Sequence, residues 1–74
     1  MSTRLDTWAE NIRSARTRAG LTQAELAKRI DVRQSAVGRW ETGAAGPREP
    51  HKMALAKVLD ADPVDLFPFI EDDE

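Results

Sequence analysis

Arg33, Gln34, Ser35, Gly38 and Arg39 stand close together and carry one kind of chemistry. Gln presents a donor beside an acceptor, Arg a planar fork of donors, and Ser a hydroxyl that does either. Those are the groups that match base-pair edges: Gln pairs bidentately with adenine, Arg bidentately with guanine, and Ser with either. A solvated polar face is the plain alternative for the whole set. Residue types for other chemistry are isolated. His51 is the single His and there is no Cys. No nucleophile or carboxylate cluster accompanies His51 at ligand spacing, so the sequence supports neither a catalytic nor a metal site, and no cofactor or small-molecule ligand is expected. Glu71, Asp72, Asp73 and Glu74 are an acid run without fixed geometry. They read as a disordered, solubilising tail, or as a charge that disfavours non-specific contact with polyanions.

Several short helices must position the central set. Thr22-Gln23-Ala24-Glu25 is a capping box, and Leu26, Ala27 and Ile30 form the apolar stripe of the helix it starts. A following helix starts near Gln34 and buries Val37 and Trp40, with Gly43 just past its end. Upstream, Thr7-Trp8-Ala9-Glu10 fits a capping box, with Ser2, Thr3 and Asp6 as competing starts. Trp8, Ile12, Ala15 and Ala19 recur at helical spacing from there, and Gly20 supplies a stop. Downstream, a Gly/Ala loop leads to Pro50, suited to the first turn of a fourth helix. Met53, Leu55, Ala56, Val58 and Leu59 are its expected apolar residues, leaving Lys52 and Lys57 to solvent. Asp62-Pro63-Val64-Asp65 caps a short fifth helix carrying Leu66 and Phe67, which Pro68 ends. No stretch alternates in the manner of a strand. The expectation is an all-α, five-helix domain over residues 1–70, with the acidic tail at 71–74.

Size and charge sharpen this reading. A chain of 74 residues without Cys must hold one small core by helix packing alone. No apolar run approaches a membrane span and the N-terminus lacks the apolar stretch of a signal peptide, so no membrane partner is expected and the default compartment is the cytoplasm. The formal net charge is −2, but it is unevenly spread. Residues 1–52 carry ten Lys/Arg against six Asp/Glu, giving +4, and residues 53–74 carry Lys57 against seven acids, giving −6. The polar central set lies in the basic part.

The spacing itself points further. From Gln23 as first residue, apolar side chains fall at the fourth, eighth, tenth, fifteenth and eighteenth places: Leu26, Ile30, Val32, Val37 and Trp40, with small Ala27 at the fifth. With Thr22-Gln23 before and Glu41-Thr42-Gly43 after, the segment from Trp8 to Phe67 resembles the lambdoid phage Cro and repressor family (Xre, or Cro/C1-type), whose helix-turn-helix spans about 22–42 here. The resemblance implies a compact lambda-repressor-like domain whose second motif helix enters the DNA major groove. Gln34, Ser35 and Arg39 occupy the family's base-contacting places, with Gly38 allowing close approach. Arg33 stands where the family often has a Ser or Thr cap, and is either a base or phosphate contact or a solvated Arg. Gln23 is the implied phosphate contact, followed by Thr42, Arg48, Arg13 and Lys52. Arg16 and Glu41 occupy places of an internal ion pair that ties the first helix to the recognition helix. Two departures stand out: Asp31 and Asp60 replace turn glycines, and Asp tolerates the left-handed region better than most residues.

The expected function is a sequence-specific double-stranded DNA-binding transcription regulator rather than an enzyme. It resembles Cro or a minimal repressor, because the chain leaves no room for a separate ligand-binding or cleavage domain. It would read a short palindromic operator as a homodimer, at least on DNA. Phe69 and Ile70, beyond Pro68, are the candidate dimer contact. Two alternatives remain open on the sequence: an antitoxin of the same fold, and a protein-interaction module that has lost DNA binding.

Overall fold

The computed structural model describes residues 3–69. Among them are five helices and no strand: α1 Arg4–Arg18, α2 Gln23–Arg29, α3 Gln34–Thr42, α4 Glu49–Val58 and α5 Pro63–Leu66. No helix among these residues is long and apolar enough to cross a membrane.

α1 starts one turn earlier than the Thr7–Glu10 box predicts. The Thr3 hydroxyl accepts from the Asp6 N–H and the Asp6 carboxylate accepts from the Thr3 N–H, each at 3.2 Å. This reciprocal cap lets Trp8 and Ala9 sit inside the helix, on one buried stripe with Ile12 and Ala15. Ala19 is an exposed cap rather than a core residue. α2 starts at its expected box, with Thr22 and Glu25 paired at 2.9 and 3.0 Å.

Three helices end in one way. After α1, α2 and α4 the chain enters the left-handed region at Gly20, Asp31 and Asp60, with φ of 74°, 59° and 52°. In each, the next N–H reaches back into the last turn: Leu21 to Arg16, Val32 to Ala27 and Ala61 to Ala56. These paired bonds satisfy orphan carbonyls at the helix ends. Both departures from glycine therefore keep the turn geometry.

The core gathers Ile12, Ala15, Leu26, Ala27, Val37, Trp40, Leu55, Ala56, Leu59 and Leu66. Ile30 and Val32 pack at its edge. Two expectations for α4 fail for one geometric reason. Lys52 shares the i, i+3, i+4, i+7 stripe with Leu55, Ala56 and Leu59, so it turns inward, and Met53 lies off that stripe, 58% exposed. The Lys52 ammonium rests 4.1 Å from the Trp8 ring centroid, with the Glu49 carboxylate 3.2 Å away. Trp8 also meets Phe67 edge-on at 5.4 Å and donates from its indole to the Pro68 carbonyl at 3.2 Å. Asn11 donates to the carbonyls of Asp65 and Leu66. α1 is thereby clasped to α5, and the loop after α3 passes close over its first turn. At Gly46 a Cβ would stand 2.7 Å from a Leu5 methyl carbon and 3.2 Å from the Trp8 ring.

Candidate nucleic-acid interface

α3 divides into two faces. Val37, Trp40 and Glu41 are buried, whereas Gln34, Ser35 and Arg39 are exposed and Gly38 is half-buried between them. Positions 34, 35, 38 and 39 are i, i+1, i+4 and i+5, which occupy one side of a helix. Arg33 precedes them as an exposed N-cap with extended backbone (φ −78°, ψ 149°) and makes no capping bond from its side chain. The structure therefore brings together on one exposed side all five residues expected to meet bases.

The underside holds this face in place. Arg16 on α1 grips the Glu41 carboxylate with two nitrogens, Nε to Oε2 at 2.6 Å and Nη2 to Oε1 at 3.0 Å. Its third nitrogen donates to the Leu21 carbonyl at 2.8 Å. Hydrogen bonding to Glu41, ahead of the opposing cost of burial, holds the Arg16 guanidinium above its ordinary pKa. Glu41 is only 3% exposed, and the bidentate geometry offsets the desolvation of its charge. Arg13 donates to the Glu41 carbonyl at 3.1 Å, satisfying a backbone acceptor in the last turn of α3. Gln23 donates from its amide to Glu41 Oε1 at 3.0 Å. One residue of α3 thus receives side chains from α1 and α2. That Gln23–Glu41 bond has no local signal in the sequence, because it joins residues on separate helices.

The expected phosphate contacts do not form one set. Gln23 lies beside Gly38, and Arg13 beside the end of α3. Thr42 is exposed there, its hydroxyl donating to the Arg39 carbonyl at 3.2 Å. Arg48 is the exposed N-cap of α4. Lys52 departs from the group, since Trp8 and Glu49 hold its ammonium between α1 and α4. Phe69 is 82% exposed, and Ile70 and the 71–74 tail lie outside the described residues. The His51 ring packs 5.4 Å from that of Trp40. Among the described residues, no group of three or more His, Cys, Asp or Glu is placed to hold a metal ion.

Known proteins share this fold. The family described as helix-turn-helix matches residues 12–66. A HTH-type transcriptional regulator of Archaeoglobus fulgidus, itself uncharacterised, is 40% identical over 63 residues, spanning 85% of this chain and 87% of the relative. The P22 c2 repressor, solved in complex with synthetic operator 9T, superposes with a TM-score of 0.79 at 31% identity, covering 82% of this chain and 92% of the repressor. The restriction-modification controller protein C.AhdI from Aeromonas hydrophila gives 0.79 at 33% identity, over 85% of this chain and 96% of its own. The chain belongs to the helix-turn-helix family of the Cro and repressor type, and is a DNA-binding transcription regulator.

Proposed function

We propose that this chain represses transcription by reading a short pseudo-palindromic operator through the major groove, as a homodimer on DNA and in the cytoplasm. The observation that carries the reading is the exposed side of α3, with Arg33, Gln34, Ser35, Gly38 and Arg39 outward and Val37, Trp40 and Glu41 locked beneath. Gln34 and Arg39 are the bidentate readers, Ser35 and Arg33 supplement them, and Gly38 keeps the helix backbone accessible. Gln23, Thr42, Arg48 and Arg13 set the register on the phosphates. The P22 c2 repressor, solved with an operator, supports this placement by likeness of fold. Two copies with α3 in successive major grooves would read half-sites about one DNA turn apart. Phe69 and Ile70 are the proposed dimer contact.

Selection from a randomised duplex pool, followed by footprinting on the recovered sequence, tests the reading. A palindromic site of about 20 base pairs is the expected outcome. Gln34→Ala and Arg39→Ala should each weaken binding to that duplex by about 1–3 kcal/mol and relax preference at one position per half-site, with thermal melts unchanged. Unaltered binding by both variants would refute a reading role for α3, and failure to recover any bound duplex would leave the interaction-module alternative in its place.

A further inference from the structure

The contact between Gln23 and Glu41 bears on how DNA is met, beyond the exposed side of α3. A carboxylate can only accept hydrogen bonds, so the Glu41 oxygen that meets Gln23 must face the NH2 end of its amide. That bond, at 3.0 Å, fixes the sense of the amide plane. The amide oxygen accordingly points the other way and lies against α3 at Gly38, 3.8 Å from where a Cβ would stand there. Gln23 is half-buried in this position, against the same helix that exposes Gln34, Ser35 and Arg39. Its second amide N–H has no protein acceptor among the described residues. Arg16 neutralises Glu41 through its two bonds, so the buried carboxylate can sit close behind a DNA-facing group without repelling phosphate.

We propose that Glu41 is a positioning residue for DNA binding: its Arg16-anchored carboxylate locks the Gln23 amide before DNA arrives, leaving one N–H directed to a phosphate oxygen. The proposal rests on the DNA-facing reading of Gln23 given above. Its physical content is preorganisation. A loose Gln must be immobilised on binding, whereas this one is already ordered, and the difference for one long side chain corresponds to roughly three- to tenfold in affinity.

A double-mutant cycle on the duplex recovered by selection tests the idea, using wild type, Gln23→Ala, Glu41→Gln and the double variant. Glu41→Gln keeps size and an acceptor oxygen but no longer dictates which amide end Gln23 presents. A loss of about three- to tenfold in the wild-type background that vanishes in the Gln23→Ala background is the expected result. Equal losses in both backgrounds would overturn the proposal, because Glu41 would then act through fold stability alone. A Gln23→Ala variant that binds as wild type would overturn it differently, by removing Gln23 from the interface altogether. Side-chain NH2 relaxation on the wild-type, DNA-free protein needs no variant to fold. Gln23 should be as ordered as rigid backbone, with an order parameter of about 0.85, and the exposed Gln34 below about 0.6. Equal mobility of the two amides contradicts the lock.

Discussion

Glu41 accepts hydrogen bonds from three side chains of other helices, Arg16 and Gln23 at its carboxylate and Arg13 at its carbonyl. Removing its carboxylate strips Arg16 of its counter-ion and Gln23 of its acceptor, inside a packed junction. Glu41→Ala should therefore lower unfolding free energy by about 3 kcal/mol, near the low end for a broken buried pair because the Arg16 side chain keeps some contact with water. Urea denaturation measures this, and a change below about 1 kcal/mol would place the pair among ordinary surface ion pairs. Glu25 offers a test by pH. Its capping bonds, first from the Thr22 backbone N–H and then from the Thr22 side chain, hold its carboxyl below the usual range. A carboxylate whose pKa falls on folding stabilises above its unfolded pKa, and that contribution fades as pH drops through the folded value. Glu25→Gln should thus melt below wild type at neutral pH and converge with it in acid, once pH has fallen through the lowered folded value. A gap that persists in acid would show that the ionised carboxylate is not what matters. The Arg16–Glu41 pair followed from family resemblance, whereas the third partner, Gln23, did not. Residue type alone sends Lys52 to solvent, but its position relative to Leu55, Ala56 and Leu59 puts it on the core stripe.

At the scale of elements, capping chemistry and turn geometry decided most boundaries. Thr22 and Glu25 are three residues apart and need nothing distant to form their box, so the start of α2 was legible. The start of α1 was ambiguous because Thr3–Asp6 and Thr7–Glu10 both satisfy the local rule. Burial of Trp8 within α1, against Phe67 and Lys52, is consistent only with the earlier start. α3 itself carries a testable tension at Gly38. A mid-helix glycine costs about 1 kcal/mol relative to alanine, yet an added Cβ here would meet only the Gln23 amide oxygen, at an ordinary 3.8 Å. Gly38→Ala should raise the melting temperature while weakening operator binding, since the methyl would project from the side of α3 proposed to meet DNA. Binding equal to wild type would mean that the α3 backbone does not approach DNA at this point.

For the whole molecule, the net charge understates the basic character of the stretch that holds the helix-turn-helix. The net value of −2 sums a basic stretch of +4 over residues 1–52 and an acidic one of −6 over residues 53–74, and α1 to α3 all lie in the former. Phosphate attraction is local in salt, because it is screened within about 10 Å. The acidic C-terminal part also presents apolar side chains to solvent: Met53, Val64 and Phe69 are 58%, 71% and 82% exposed. If Phe69 serves the proposed dimer, Phe69→Ser should reduce operator affinity and shift sedimentation of the DNA complex toward one copy per duplex, with the melt of the DNA-free chain unchanged. Two copies per duplex at wild-type affinity would move the contact elsewhere.

The sequence by itself determined the helical architecture, the caps of α2 and α5, the end of α3 at Gly43 and the residues on the outer side of α3. Those features depend on neighbours within a turn or two, and local hydrogen bonding and helical periodicity are written in short windows. Only the tertiary structure decided where α1 begins, that the Lys52 ammonium rests against the Trp8 ring, and that Gln23 joins Arg16 at the Glu41 carboxylate. Those choices depend on which surfaces meet in space, and distances across a packed core are not encoded in the spacing of residues along the chain.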